Sequence, residues 1–597
     1  MKETFSVVLI AKNEEKSLPR LLESLIEFRD KYNGEVIVCD TGSTDNTISL
    51  ATNWGCKVYQ EGTRFCKTFI EEEIKELQKQ YNEMVGFDRP LITLSIQPNK
   101  PYFQYDLARN YANSLASNDW IFSPDCDEVV EWDLASVHSL LPDNDQLVYN
   151  FIFAFDEYGN PAIQFQHSKF FRRSKLEWRN HIHEILQSVE GQKPKGAQFT
   201  EKVFLKHHQN PEQNRGHYLP MLEYDVISNP ANDRNAYYLA REYMYCGRYS
   251  DAITMFHYYL SLPTGWWPEQ GQAKIHIGDC YRGLGQDSEA EKWYHKAMQH
   301  DPTRREPFFE CGSLHHDKQD WQRSSIYFAA ALRVPYHGGF YGTRMDLYQE
   351  RIHLLQSVNL YYLGQKEEAF DELYKALQEK PRNELILSNF KYVMDFPPVT
   401  IVIPTLGKRD MNDLVKSLES DNYFGDKQIL IVTDKDAVGC PKTLNKGVLE
   451  AKHDFVVFLG DDTTVEKNWL NHSVIEYKKS FGDKPGLVAL NDGMHFDDHK
   501  PKLPCHWLSN KSLLPFLRDN VYFTEELHHY SVDDVLELQC QILGKLVYAE
   551  NAIINHPPIE DETKIIARKN YQEDVEKGKQ IMNEIRQKYD WKTDGNT

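Results

Sequence analysis

The sequence predicts a multidomain chain in which two α/β domains, each on a mostly parallel sheet, flank an all-α segment of helical repeats. Three observations predict it. Short continuous apolar runs alternate with stretches of helical period over residues 1–230. Small, aromatic and proline positions then recur in phase from about 232 to 390. The first alternation returns after residue 398. With 597 residues the chain exceeds what one hydrophobic core can organise. The expected boundaries are 1–230, 231–392 and 393–560, followed by a charged helix or tail over 561–597.

In the first domain "FSVVLIA" is a short apolar run of the kind a buried strand needs, and "EEKSLPRLLESLIEF" spaces its apolar residues for a helix. "EVIVCD" is a second strand. "STDNTISLATNWG" opens on N-cap residues and closes on a glycine, which marks both ends of a helix. "DWIFSPD" is a third strand. A parallel α/β sheet gathers its ligands at the carboxyl ends of its strands, and the polar stretches "KNEE", "DTGSTD" and "DCDE" fall at those ends.

In the middle segment Ala240, Tyr243, Gly247, Ala252, Phe256 and Pro263 align with Gly278, Tyr281, Gly285, Ala290, Tyr294 and Pro302. A third unit passes through Gly312, Ser324, Phe328 and Pro335, and a fourth through Gly364, Ala369, Ala376 and Pro381. Gly278 and Gly312 lie 34 positions apart. Small residues let two helices approach, aromatics fill the gap, and proline ends the second helix. This pattern resembles the tetratricopeptide repeat.

In the third segment "PPVTIVIPTLG", "KQILIVTDKD" and "HDFVVFLGDDTTVEKNWL" are again strands that end in polar or acidic residues. The final stretch, with its dense charge, reads as a surface helix that frays.

The formal net charge of −21 favours solubility and weighs against a protein built to hold phosphate backbones. The ten cysteines show no CxxC pair, so they read as reduced thiols and neither as a disulfide framework nor as a zinc module. The start lacks the apolar core of a signal peptide, and no run of about 18 apolar residues occurs. The expectation is a cytoplasmic protein without a membrane span.

The stretch "IFSPDCDEVV" sets Asp125, Asp127 and Glu128 at the end of a buried strand. Adjacent carboxylates repel, so either water screens them or a cation sits between them. Two acids one residue apart at a strand end suit a hard divalent cation such as Mg²⁺ or Mn²⁺, which prefers oxygen ligands and a substrate phosphate. Asp461 and Asp462 form the corresponding pair in the third segment.

The order "VVLIAKNEE", "VIVCDTGSTDNT", "DLARNYANSLASNDWIFSPDCDE" resembles the family 2 glycosyltransferases, which have the GT-A fold, over most of residues 5–130. The resemblance implies a nucleotide-sugar site lined by Asn13, Asp40, Gly42, Ser43, Asp45, Arg109, Asn110 and Asp125. In this reading Asp40 faces the base, a uracil or similar ring, so a UDP-sugar is the expected donor. Asp127 is the metal-proximal acid. "SKFFRRSKLEWRNHIHEIL" resembles a subgroup often joined to tetratricopeptide repeats, which makes His183 a metal ligand and Glu184 the base, with Asp156 as the other candidate base. Arg172 and Arg173 would offset diphosphate charge.

The third segment resembles the same family. Asp434 matches Asp40, and "TLNKGVLEAKHDFVVFLGDD" resembles the run from Arg109 to Asp127, with Asn445 and Gly447 in place but Gly460 where the first acid is expected. Thr405, Asp434, Asn445 and Asp461 would line the nucleotide, and Asp462 and His556 would hold the metal. Asp534 would be the base, with Asp533 beside it.

The resemblance implies inverting transfer from a nucleotide sugar, with Mn²⁺ or Mg²⁺, to an acceptor hydroxyl. Two active sites are the leading expectation. One active domain beside a degenerate binding copy is the alternative, and a non-catalytic repeat scaffold is the rival from another class. A glycan, a protein or a modified nucleobase fits as acceptor. The repeats would bind a protein partner or a second copy of the chain.

Overall fold

A computed structural model of the protein describes residues 4–86, 92–155, 161–208, 218–337, 343–493, 504–556, 565–566 and 568–589. Contacts divide the chain into two compact units, Met1–Tyr348 and Gln349–Thr597.

The first unit opens with β1 (Phe5–Ala11), α1 (Leu18–Ser24), α2 (Ile26–Tyr32), β2 (Glu35–Asp40), α3 (Thr47–Trp54) and β3 (Lys57–Gln60). A small ribbon of β4 (Cys66–Lys67) and β5 (Tyr102–Phe103) brackets α4 (Glu71–Val85). Next come α5 (Tyr105–Ser114), β6 (Trp120–Phe122), β7 (Glu128–Trp132) and α6 (Leu134–Leu140). The α/β part closes with β8 (Gln146–Phe155), β9 (Pro161–Arg172), the hairpin β10 (Leu176–Arg179) to β11 (Ile185–Ser188), and β12 (Gln198–His207).

The main sheet has the order β3-β2-β1-β6-β9-β8-β12-β7. Strand β1 lies between β2 and β6, parallel to both, and is buried almost throughout. A central parallel strand with both faces covered has no solvent side, which is why "FSVVLIA" shows no alternation. The sheet is more mixed than the sequence predicts. Strands β3, β2, β1 and β6 are parallel neighbours, but β9 is antiparallel to β6 and β8, and β7 is antiparallel to β12. Only β8 and β12 restore a parallel pair on that side.

The helical part follows as α7 (Tyr218–Ser228), α8 (Asp233–Tyr245), α9 (Tyr249–Ser261), α10 (Trp267–Gly283), α11 (Asp287–His300), α12 (Glu306–Asp317) and α13 (Trp321–Leu332). Helices α8–α9, α10–α11 and α12–α13 form hairpins. Gly247 and Gly285 turn the first two with φ of +73° and +72°, a backbone region that favours glycine. The aligned small and aromatic positions are where the helices meet. A Cβ at Gly278 would run into the Tyr294 ring and one at Gly312 into the Phe328 ring, while Ala240 and Phe256 are fully buried. The first hairpin also shares a core with the α/β part: Tyr81, Val85 and Tyr102 cluster with Tyr237, Tyr243 and Phe256. Inside that core the Glu223 carboxylate accepts from Ser95 N at 2.6 Å and from Tyr243 Oη at 3.0 Å.

The second unit begins with three helices, α14 (Glu350–Tyr362), α15 (Lys366–Glu379) and α16 (Glu384–Val393). Its α/β part runs β13 (Val399–Thr405), α17 (Asn412–Ser420), β14 (Lys427–Thr433), α18 (Cys440–Glu450), β15 (Phe455–Phe458) and β16 (Thr464–Val465). Then follow α19 (Trp469–Phe481), β17 (Leu487–Asn491), β18 (Trp507–Asn510), α20 (Val532–Ile542) and β19 (Leu546–Asn555). The sheet order is β14-β13-β15-β18-β17-β19-β16. This repeats the first sheet from β2 onward, strand for strand and with the same sense at every pairing.

The last helix, Tyr571–Lys588, docks where the sequence suggests a frayed surface element. Ile581 and Ile585 enter the core, and the buried Asp574 carboxylate accepts from the backbone N–H groups of His528, His529 and Tyr530. Its dense charge hides a narrow apolar stripe. Among the described residues no helix is long and apolar enough to cross a membrane.

This packing can be tested at two positions. Gly312→Ala forces the Phe328 ring to move and should destabilise the protein by about 1–3 kcal/mol, read from chemical unfolding. Burial raises the Glu223 carboxyl from 4.5 to about 7, so its ionisation opposes folding as pH rises through that range. Glu223→Gln removes this opposition, and its melting temperature relative to wild type should climb between pH 4.5 and 7 and then level off.

Candidate functional site

In the first unit the loops after β1 and β2 are laced together by the polar residues the sequence singles out. Asn13, at φ +57°, accepts from Thr44 N at 2.7 Å and donates its own N–H to Ser43 Oγ at 2.9 Å. The Asp40 carboxylate accepts from Gly42 N and Ser43 N, both at 3.1 Å. Gly42 has φ +102°, so a side chain there would be strained. Asp45 accepts from Glu15 N at 3.2 Å and from Thr47 Oγ1 at 2.6 Å.

The carboxylates after β6 meet cations supplied by the chain itself. Arg109, on α5 and only 5% exposed, donates from Nη2 to Asp125 and from Nε to Glu184 Oε1 at 2.6 Å. Lys169, on β9, donates to Asp125 Oδ2 at 2.5 Å and to Glu128 Oε1 at 2.6 Å. Burial pushes the Asp125 carboxyl up, but Arg109 and Lys169 outweigh it and hold it well below the usual carboxylate range. Burial dominates at Glu128, whose carboxyl rises to about 7.

Asp127 faces elsewhere. Its Oδ2 lies 3.2 Å from His207 Nε2, at the end of β12. Burial lowers the His207 pKa, Asp127 more than restores it, and the net shift is upward. His207 thus stands where the sequence reading puts His183. His183 instead stacks on Tyr238 of α8, with ring centroids 4.2 Å apart, and meets Tyr218 edge-on. The signal for His207 is in the sequence: "VFLKHHQNP" and "AIINHPP" are both apolar runs that end in histidine.

Other expected residues are tied up in the fold. Asn110 exchanges two hydrogen bonds with the backbone of Trp178, at 2.8 and 2.9 Å, and so pins β10. Arg172 donates to the carbonyls of Leu141 and Asn144, and Arg173 to those of Asn113 and Ser114. Glu14 joins the site without having been singled out. Its carboxyl is pushed up to about 7, first by burial and further by the Asp127, Asp125 and Asp45 charges. Asp156 lies outside the described residues.

The second unit builds a related arrangement from different elements. Asp461 accepts from Thr405 Oγ1 at 2.6 Å and pairs with Arg409, whose Nη1 also lies 3.1 Å from Asp462 Oδ2. The same Asp462 Oδ2 lies 3.5 Å from His556 Nε2. Burial raises the Asp462 carboxyl, but His556 and Arg409 reverse this and bring it to about 2. Asp462 and then Asp492 raise His556 to about 9. A side chain at Gly460 would crowd Asp462 and His506, so the imidazole of His506 fills the space next to the missing acid.

Asp434 accepts from Val438 N and Gly439 N, both at 2.9 Å, much as Asp40 closes its own loop. Asn445 donates to the Phe523 carbonyl at 2.7 Å. Burial pushes the Cys440 thiol up, and the charges of Asp533, Asp461, Asp434 and Asp462 push it further. Asp534, in the first turn of α20, acts on the Glu537 carboxyl, which burial raises to about 7.

Residues 6–67, which hold the first two strands and their loops, match glycosyl transferase family 2. Over 57 residues the chain is 44% identical to the 4,4'-diaponeurosporenoate glycosyltransferase of Staphylococcus haemolyticus (strain JCSC1435). That stretch is 10% of this chain, and the chain spans about 15% of the relative's length. Similar solved structures include YrrB, a TPR protein with an unusual peptide-binding site, at 19% identity over 29% of this chain and 81% of that one, TM-score 0.23. They also include MamA, at 14% over 30% and 87%, TM-score 0.23. A thermophilic TPR protein of Thermus thermophilus matches at 16% over 30% and 91%, TM-score 0.22.

Arg109 gives this site a direct test. Arg109→Met leaves Asp125 and Glu184 without their shared cation and should destabilise the protein by about 3–5 kcal/mol in chemical unfolding. Arg109→Lys keeps the charge but cannot span both carboxylates, and it should recover less than half of that loss.

Proposed function

We propose that the chain is an inverting glycosyltransferase with two active sites, one in each α/β part, that draws sugars from nucleotide-sugar donors, UDP-sugars foremost. The observation that carries the reading is duplication of site as well as sheet. In each unit one aspartate is held by an arginine and a second aspartate faces a histidine at the same end of the same sheet topology.

The donor sets fit a divalent cation. Asp127 with His207, and Asp462 with His556, each offer a carboxylate oxygen and an imidazole nitrogen, a pair that suits Mn²⁺ better than Mg²⁺. When bound, the cation neutralises charge on the leaving diphosphate.

The residues of the chain do the rest. The closed loops at Asp40 and Asp434 shape the nucleotide pocket. Arg109 and Lys169 fix Asp125 at its rim. Glu184, oriented by Arg109, takes the acceptor proton in the first site and Asp534 in the second, so that the acceptor oxygen attacks the anomeric carbon as the diphosphate leaves the opposite face. Helix α8 borders the first site through Tyr238 and His183, which gives the helical hairpins a place in acceptor binding. A protein or a glycan suits that surface better than a nucleobase, given the acidic charge of −21.

Release of nucleoside diphosphate from a panel of nucleotide sugars, with Mn²⁺ or Mg²⁺, tests this directly. Release should need the metal, and Asp127→Ala and Asp462→Ala should each abolish turnover of a different donor. Loss of all turnover with one variant alone would leave one active site and one binding copy. No turnover, together with no donor binding by calorimetry, would overturn the transferase reading.

A further inference from the structure

Three strand ends of the second unit converge on one buried point. Asp492 follows β17, His506 precedes β18 and His556 follows β19, and these strands are neighbours in the sheet. The antiparallel step from β17 to β18 and the parallel step from β17 to β19 put all three residues at the same edge. One ligand atom from each residue falls within 4.8 Å of the others.

The polar atoms at this point do not satisfy one another. Asp492 Oδ2 lies 3.8 Å from His506 Nδ1 and 4.0 Å from His556 Nδ1, beyond hydrogen-bond reach. Both Nδ1 atoms are buried and have no hydrogen-bond partner. His506 is only 2% exposed, so water does not compensate it. A buried polar atom left without a partner is destabilising, and two that face one carboxylate oxygen call for a common partner. The two imidazole planes stand at 90° with centroids 5.1 Å apart.

We propose that Asp492, His506 and His556 form a site for a divalent cation of the zinc class. Two imidazole nitrogens and one carboxylate oxygen suit Zn²⁺ or Co²⁺ and are a poor set for Mg²⁺ or Ca²⁺. With bonds of about 2.0–2.1 Å, tetrahedral ligand atoms stand roughly 3.4 Å apart, so the Asp492–imidazole separations of 3.8 and 4.0 Å shorten by about half an ångström when the site fills. The site is separate from the Asp462 contact, because His556 meets Asp462 through Nε2 and this cation through Nδ1. An ion on Nδ1 leaves the proton on Nε2, which then donates to Asp462. Occupancy of this site and ligation of a donor cation by His556 Nε2 therefore exclude each other, and the Asp462–His556 pair serves a donor cation only in protein that does not hold this one. The inference stands on this geometry alone and not on the transferase reading.

Full-length protein stripped with a chelator and titrated with Co²⁺, in the absence of any nucleotide sugar, tests the assignment. One equivalent should bind with the intense visible absorption of low-coordinate, nitrogen-ligated Co²⁺, and Zn²⁺ should displace it. His506→Gln and Asp492→Asn should each weaken binding by about 100-fold or more, whereas Asp127→Ala, in the first unit, should leave it within a few-fold. Binding that survives His506→Gln and Asp492→Asn, or that is lost only with Asp127→Ala, would overturn the proposal, as would no binding at all. If a variant fails to fold, X-ray absorption of the Zn²⁺-loaded wild-type protein decides the matter. Two imidazoles per zinc are expected, and one or none overturns the assignment.

Discussion

The first site depends on a guanidinium buried under the sheet. Arg109 joins Asp125, beyond β6, to Glu184, beyond β10, and Lys169 ties Asp125 on to Glu128. Three carboxylates and two buried cations gathered in one place are tolerable only because each charge meets an opposite one at hydrogen-bonding distance. An apolar replacement of the whole group would be no less stable in principle. What the ions add is placement, since the fork of Arg109 fixes where two loops from different parts of the sheet must stand. Asp127, left outside this pairing, is the acid that faces His207.

The second unit reaches the same end by another route. Its arginine, Arg409, comes from the loop after β13 and not from a helix like α5, yet it too holds one aspartate while a second faces histidine. The shared feature of the two units is the sheet, whose strand order and sense repeat, and the carboxyl ends of its strands are where polar groups can converge without disturbing the core. The side chains that use that geometry differ. Gly460 stands where the first unit has Asp125, and the His506 imidazole lies against it.

Local signals made much of this legible. Strands such as Phe5–Ala11 and Val399–Thr405 announce themselves because burial on both faces leaves an unbroken apolar run. The helical hairpins are readable because glycine and aromatic positions recur at the points of closest approach, as Gly278 with Tyr294 shows. Asp462 and His556 can be paired from sequence because a strand ending in histidine follows the helix of Asp534. Contacts between distant segments are a different matter. Lys169 is one lysine in a strand until the β6–β9 pairing sets it beside Asp125, and nothing in "HIHE" says that His183 faces an aromatic wall. The antiparallel half of each sheet escaped for the same reason, since local period reports burial but not the sense of the neighbouring strand. Asp492 and His506 sit in a stretch with no readable period, and only the neighbouring strand ends bring them together.

The core shared by the ribbon region and the first hairpin has a consequence for how the chain comes off the ribosome. Phe69, Tyr81 and Tyr102 are made early, but their neighbours Met221, Tyr237, Tyr243, Phe256 and Cys280 emerge well over a hundred residues later. The nascent ribbon region must wait, with aromatic side chains uncovered, until the helices that cover it have left the exit tunnel. During that interval the chain presents the kind of surface that chaperones hold. The boundary that composition suggests near residue 230 is therefore not a place where synthesis can pause with a finished domain behind it.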